Sequence, residues 1–430
     1  MLKEKKNYLV PIIGFALIII IAAIILVLPG FNNMGLSFKE TLFTSVSAIT
    51  TTGISNGPIS SNYTFLGQFI IALEMEIGAL GFIVFISYFW YSKNKKIKIS
   101  DRDVINDGIG YSDDGLLRNH INFIIKFMIV VQIVAVVLVV FAFIPRYGII
   151  KGVWRSIFTT ISAFSNCGLD NLGVSSMIPF ENNAYIQIVI ICLMLIGSIG
   201  VIVIEDFINN KIRKFSRLKI ITKIILTCTA FLIVVPTIIL KIYEPKLTII
   251  NCLFTAISAR NTGLTVVSID GLSHGSKVLL TILMFIGGSP TSTAGGVRVV
   301  AVALVLSTVW TTIKGREELV LFNKKIKHET VYKAISIIVV AILVLIVSCT
   351  LFRISTGEQD LLKIIFENVS AISNTGYSLY DYMNMNYFSE CIIMVLMFIG
   401  RVGPITVVYA VTKKDKKSMQ YDFPTANIIL

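Results

Sequence analysis

Four stretches of this sequence share a pattern that could coordinate a cation. They are Phe43-Thr-Ser-Val-Ser-Ala-Ile-Thr-Thr-Thr-Gly53, Phe158-Thr-Thr-Ile-Ser-Ala-Phe-Ser-Asn-Cys-Gly168, Phe254-Thr-Ala-Ile-Ser-Ala-Arg-Asn-Thr-Gly263 and Phe366-Glu-Asn-Val-Ser-Ala-Ile-Ser-Asn-Thr-Gly376. Glycine takes backbone angles closed to other residues, so it lets successive carbonyls turn toward one axis. Carbonyls from four such loops can replace the water around a monovalent cation. The triplets ending at the glycines are the candidate filter: Thr51, Thr52 and Gly53; Asn166, Cys167 and Gly168; Asn261, Thr262 and Gly263; Asn374, Thr375 and Gly376. Hydroxyl and amide groups among them can hydrogen-bond behind the loops and hold their shape. No acid stands between Ser-Ala and the glycine in any copy. That suits a weakly hydrated monovalent ion better than calcium, which prefers carboxylates. A single copy could also be an ordinary helix C-cap; four copies at matching positions favour a pore.

A second pattern follows each of these, with its glycine 24 to 29 residues downstream: Met75-Glu-Ile-Gly78, Met194-Leu-Ile-Gly197, Met284-Phe-Ile-Gly287 and Met397-Phe-Ile-Gly400. Three residues later comes Gly81, Gly200, Pro290 or Gly403. Two linked patterns, each found four times in order, indicate a four-fold internal duplication.

The elements that must position these residues are membrane helices. A span needs roughly 20 predominantly apolar residues. Eight runs qualify, at about Tyr8–Leu28, Leu66–Tyr91, Phe123–Ile144, Ala184–Ile204, Ile224–Leu240, Lys277–Ile313, Ala334–Phe352 and Cys391–Thr412. The candidate filter stretches lie between paired spans and are too short to cross a bilayer, which fits re-entrant helices. Non-helical backbone at membrane depth is tolerated where it lines a cavity. The sequence therefore predicts an all-α membrane protein of four tandem helix–re-entrant pore loop–helix repeats, eight transmembrane helices in all, around a central pore. The units are residues 1–92, 116–208, 217–315 and 328–414, with a tail over 415–430.

Composition agrees. Of 430 residues, 55% are apolar and 15% charged, with 38 Lys and Arg against 25 Asp and Glu. Mean hydropathy is +0.81, which excludes a secreted, disordered or ordinary cytosolic chain. A net charge of +13 could suggest nucleic acid, but 26 of the 38 basic residues fall on alternate loops and termini. By the positive-inside rule this places both termini in the cytoplasm and removes the case for nucleic acid. The six cysteines form no CxxC, so neither a disulfide framework nor a zinc site follows. The chain has no Walker motif, HExxH or nucleophile elbow, which argues against an enzyme.

Three features stand outside the repeat. The sixth span is interrupted by Gly287-Gly288-Ser289-Pro290-Thr291-Ser292-Thr293-Ala294-Gly295-Gly296, where helix propensity is poor throughout. Arg401 lies within the last span, where an arginine normally faces a cavity or a partner; it is expected below the filter as an electrostatic barrier, or bonded to carbonyls. Glu74 and Glu76 form an acid pair in the second span, read either as a cation-attracting site near the outer vestibule or as a salt bridge. Arg260 is expected to brace the third loop.

With these Gly-centred filters, the four units resemble the ion-conducting subunit of the Ktr/Trk potassium-transport superfamily, which includes plant high-affinity transporters. The resemblance covers nearly the whole chain and is closer to the Ktr type, having no extra N-terminal pair of spans. It implies potassium uptake across the cytoplasmic membrane, with K+ bound at the filter residues as the transported ion. All four filter positions are glycine; in plant relatives a serine at the position of Gly53 goes with sodium transport. The resemblance also implies that residues 288–296 are a mobile gate beneath the filter. Its expected partners are a cytosolic ring of nucleotide-binding regulatory subunits, which alone would bind nucleotide, and a second copy in a membrane homodimer. A less selective potassium and sodium channel or symporter of the same superfamily is the alternative reading. The residues leave channel-like flow and sodium- or proton-coupled transport both open.

Overall fold

The computed structural model describes residues 2–81, 117–209, 215–290, 292–293, 295–316 and 318–403. Expectations for the loop at 92–116, the end of the second span, the last part of the eighth and the tail at 415–430 lie outside the described residues, as do Thr291 and Ala294 of the interrupted segment.

The main helices, in chain order, are α1 (Leu2–Val27), α2 (Phe38–Ile49), α3 (Phe65–Leu80), α4 (Leu117–Tyr147), α5 (Ile149–Ser165), α6 (Ala184–Ile199) and α7 (Val201–Asn209). They continue with α8 (Ile220–Tyr243), α9 (Ile249–Ser258), α10 (His274–Ile286), α11 (Val299–Ile313), α12 (His328–Thr356), α13 (Leu361–Ile372) and α14 (Tyr387–Val402). One small hairpin pairs Val320–Leu321 with Lys324–Lys325. Its turn residues Phe322 and Asn323 both have positive φ, as a two-residue hairpin turn with the native twist requires.

Parts of α4, α8 and α12 are long and apolar enough to cross a membrane by themselves. Ile133, Phe141, Phe231, Val234, Leu343 and Ile346 project outward from them and are exposed, as a lipid-facing surface demands. The chain is a multi-pass membrane protein. Two expected spans are not single helices. The fourth is divided at Gly200, with φ +89°, into α6 and α7. The sixth is two helices, α10 and α11, separated by residues 287–298. A glycine in this conformation ends a helix and frees its last carbonyls for other partners.

The short helices are α2, α5, α9 and α13, of 12, 17, 10 and 12 residues. At 1.5 Å per residue none reaches the roughly 30 Å of a hydrocarbon core. Capping residues set where they start. Ser37 and Glu40 form a capping box on α2, Thr248 accepts from the Asn251 amide on α9, and Asp360 accepts from Leu362 and Lys363 on α13. The second is longer than the sequence suggests because it begins at Gly148, directly after α4.

Helix contacts close on themselves. α3 packs on α5, α6 on α9, α10 on α13, and α14 returns to α2. Buried or half-buried polar bonds cross three of these junctions: Trp154 Nε1 donates to Gln68 Oε1 at 2.8 Å, Gln187 Nε2 to Asn251 Oδ1 at 2.9 Å, and Asn56 Nδ2 to Glu390 Oε1 at 3.0 Å. Each of the short helices α2, α5, α9 and α13 therefore sits between a helix next to it in sequence and, respectively, α14, α3, α6 or α10. Phe43, Phe158, Phe254 and Phe366, the first residues of the four similar stretches, are all fully buried there.

Candidate ion-conduction site

The serine of each Ser-Ala pair turns the chain out of its short helix. The carbonyl of Ser47 accepts from the Thr52 amide, that of Ser162 from Cys167, that of Ser258 from Thr262 and Gly263, and that of Ser370 from Thr375, at 2.8–3.1 Å. Ser47 Oγ and Ser370 Oγ also accept from the Gly53 and Gly376 amides, at 3.0 and 3.2 Å. Thr51, Asn166 and Asn374 hold positive φ at the turn, between 52° and 53°. The third stretch lacks this residue, being one shorter.

The four glycines come together. A Cβ on Gly53 would lie 2.0 Å from the Cys167 carbonyl oxygen, and one on Gly168 1.8 Å from that of Thr262. On Gly263 it would lie 2.2 Å from the Thr375 carbonyl oxygen, and on Gly376 2.1 Å from that of Thr52. Each glycine thus abuts the residue preceding the next glycine, and the fourth returns to the first. All four have φ between +77° and +95°. A closed ring of backbone, with no room for side chains, results. The C-termini of α2, α5, α9 and α13 end beside it, so their partial negative charge faces the ring.

Behind the ring, the threonines and asparagines are buried and bonded across units. Asn374 Nδ2 donates to Thr52 Oγ1 and to the Met397 carbonyl, both at 2.8 Å. Asn166, in the orientation that satisfies both ends of its amide, repeats this arrangement: Nδ2 donates to Thr262 Oγ1 at 2.7 Å and to the Met194 carbonyl at 3.2 Å. Thr52 Oγ1 also pairs with Thr50 at 2.7 Å, and Thr375 Oγ1 with Ser373 at 3.0 Å. Cys167 is buried with its Sγ toward the Ser47 and Ala48 carbonyls, and Asn261 is buried beside Thr262.

Three of the Met-x-x-Gly glycines explain themselves here. A Cβ on Gly78, Gly197 or Gly400 would meet the carbonyl oxygen of Ile49, Phe164 or Ile372 at 2.0–2.2 Å. These glycines let a spanning helix touch the end of its own short helix. Gly400→Ala should therefore destabilise the fold by roughly 1–3 kcal/mol, visible as a lower melting temperature in detergent; an unchanged transition would refute this close approach. Gly287 behaves differently. It ends α10 and lies against Gly295, one turn earlier than the corresponding breaks.

The segment after Gly287 lies directly against the ring. Its amides and hydroxyls take up the carbonyls freed at the end of α6: Thr293 N donates to Gly197 O at 3.4 Å, Ser289 N to Ser198 O at 3.2 Å, and Ser289 Oγ to Ile199 O at 2.5 Å. The Thr293 hydroxyl donates to Asn166 Oδ1 at 2.6 Å, and the Thr293 carbonyl accepts from Thr51 Oγ1 at 3.2 Å. On the opposite side a Cβ on Gly295 would lie 2.0 Å from Asn374 Oδ1, and one on Gly296 3.3 Å from Ser373 Cβ. The segment thus lies against three of the four glycine-ended strands, at Thr51, Asn166 and Asn374. Arg401 secures it: the guanidinium donates to the Thr293 carbonyl and to the Gly78 carbonyl. Its contact with the segment is a direct bond to a backbone carbonyl.

One expectation is corrected. Glu74 is buried behind α2, where Ser45 Oγ donates to its Oε1 at 3.1 Å; it belongs neither to a vestibule nor, among the described residues, to a salt bridge. Arg260 is 1% exposed, and its Nε has no hydrogen-bond partner among the described residues. Sequence reasoning also missed Glu367. It is fully buried on α13, accepts from the Leu379 amide at 3.0 Å and from the Tyr382 hydroxyl, and so ties the outer loop to the short helix. The acid was visible in the sequence, but its partners lie 12 and 15 residues away in a loop without a pattern.

The described helices thus hold four glycines in one ring of backbone carbonyls. The comparisons with known proteins are specific. Residues 12–253 and 218–421 match the family model TrkH, described as a cation transport protein. The chain is 30% identical over 421 residues to the Ktr system potassium uptake protein B of Bacillus subtilis (strain 168), covering 95% of this chain and 94% of that one. It is 31% identical over 438 residues to the potassium/sodium uptake protein NtpJ of Enterococcus hirae, covering 97% and 95%. The crystal structure of the potassium transporter TrkH from Vibrio parahaemolyticus superposes with a TM-score of 0.78 at 16% identity, over 95% of this chain and 85% of that one. This chain belongs to the TrkH cation transport protein family, a family of transporters rather than enzymes.

Proposed function

We propose that this protein takes up potassium across the cytoplasmic membrane, through a pore surrounded by four repeats (residues 1–92, 116–208, 217–315 and 328–414). The carrying observation is the closed ring in which each of Gly53, Gly168, Gly263 and Gly376 abuts the carbonyl before the next glycine. The carbonyls of the twelve filter residues, from Thr51 to Gly376, would replace the hydration shell of K+. Small residues and the absence of a fixed acid match a monovalent ion. The name of the Bacillus relative supports potassium as the cargo. That of the Enterococcus relative favours a second reading, transport of both potassium and sodium.

Residues 288–296 act as the gate in this account, and Arg401 as its clamp. A hydrogen bond to a charged group contributes about 1.5–3 kcal/mol, and every 1.4 kcal/mol is a factor of ten in an equilibrium. Arg401→Ala should thus raise passive rubidium flux into liposomes roughly tenfold; kinetics like the parent's would count against the clamp.

The basic loops and both termini face the cytoplasm in this reading. A ring of nucleotide-binding subunits would dock on that side, and a second copy would complete a homodimer. Purified chain in liposomes loaded with potassium tests the core of the proposal. Passive rubidium uptake down the electrical gradient supports it, and tight vesicles sink it.

A further inference from the structure

The segment beneath the filter does more than obstruct. Its contacts reach the side chains that hold the filter in shape. Thr293 gives its hydroxyl to Asn166 at 2.6 Å, and Asn166 in turn holds Thr262 of the next unit at 2.7 Å. Through its carbonyl, Thr293 receives Thr51 Oγ1 at 3.2 Å. The segment also presses on the second bracing amide, since Gly295 leaves no room for a Cβ beside Asn374 Oδ1, and Asn374 holds Thr52 at 2.8 Å. Both cross-unit braces therefore have one face on the filter and the other on the segment. Withdrawing it removes the acceptor of Thr51 and a donor to Asn166, both buried where water cannot easily replace them.

We propose that Thr293 is a specificity-determining positioning residue, through which residues 288–296 set the filter's geometry as well as blocking it. This rests on the reading of the ring as an ion filter. In the seated position the braces are complete and the ring is held at one diameter. When the segment withdraws, Asn166 and Thr51 lose partners together, the ring relaxes, and discrimination between potassium and sodium falls. Flux and selectivity thus change in opposite directions through one residue. Asn166 carries the effect to the third strand, and Thr51 is itself on the first.

The test uses the full chain in liposomes, with permeability ratios for potassium over sodium from reversal potentials. Thr293→Val removes the hydroxyl but keeps shape and carbonyl; it should lower the ratio about fivefold, the worth of one ordinary hydrogen bond. Thr293→Ser restores the hydroxyl and should return the ratio to the parent value. Deleting residues 288–296 gives a second measurement, independent of how Thr293→Val folds: the deletion should raise flux and lower the ratio together. A parental ratio in Thr293→Val and in the deletion, whatever the flux, overturns the proposal and leaves the segment a plug. Failure of the filter reading itself looks different: the parent chain would then show no potassium-dependent potential at all.

Discussion

Gly168→Ala should abolish selective potassium transport while leaving the helices in place. The position has φ +83°, and a Cβ there would lie 1.8 Å from the Thr262 carbonyl oxygen. Left-handed backbone costs a non-glycine residue roughly 1–2 kcal/mol, and the collision is with backbone, which cannot swing aside. The strand must shift, and the Thr262 carbonyl with it. A shift of a few tenths of an ångström changes the fit of carbonyls around a bare ion, and each 1.4 kcal/mol lost is a factor of ten in preference. The potassium over sodium ratio should fall by on the order of tenfold or more. Gly263→Ala, Gly53→Ala and Gly376→Ala should behave alike, because each glycine meets a carbonyl at 2.0–2.2 Å. Reversal potentials with the four variants check this; one that keeps the parental ratio removes its glycine from the filter.

Removing residues 288–296 is the second large perturbation. In the seated position the segment is bonded to the carbonyls of Gly197, Ser198 and Ile199, to Thr51 and to Arg401. Several bonds of about 1 kcal/mol each, with one charged donor among them, hold the segment there, and on the proposed reading they keep the pathway closed. Without the segment that barrier is gone, so passive rubidium uptake should rise by one or more orders of magnitude. Unchanged uptake by a properly folded deletion variant would refute the gate. The deletion should also free Arg401 from Thr293, while its bond to Gly78 remains. Arg401→Ala added to the deletion should therefore give far less than its effect in the intact chain.

Sequence patterns made the four similar stretches, the linked glycines and the soft sixth span legible, because each depends on residue type at short spacing. The Ser-Ala pair is an example: its serine bonds amides four to six residues later, so the signal is local. What stayed hidden lies between distant residues. Asn374 and Thr52 are 322 positions apart, and nothing in either stretch marks the other as its partner. The role of Gly78, Gly197 and Gly400 was equally obscure, since a repeated glycine in a span can serve many purposes until the Ile49, Phe164 and Ile372 carbonyls are seen against it. Glu74 was misplaced for a physical reason. Its position along the span was readable, but the face it occupies was not, and that face is turned to α2 and Ser45. The division of the fourth span at Gly200 escaped the apolar run, which continues unchanged through Val201–Ile204 while the backbone breaks.

The most direct test of the central claim is the reversal potential of the purified chain in liposomes under opposed potassium and sodium gradients. A carbonyl ring of this kind predicts a potential that follows the potassium gradient, approaching about 59 mV for each tenfold step for a monovalent ion, and that barely responds when sodium is varied. A potential indifferent to potassium would contradict the account.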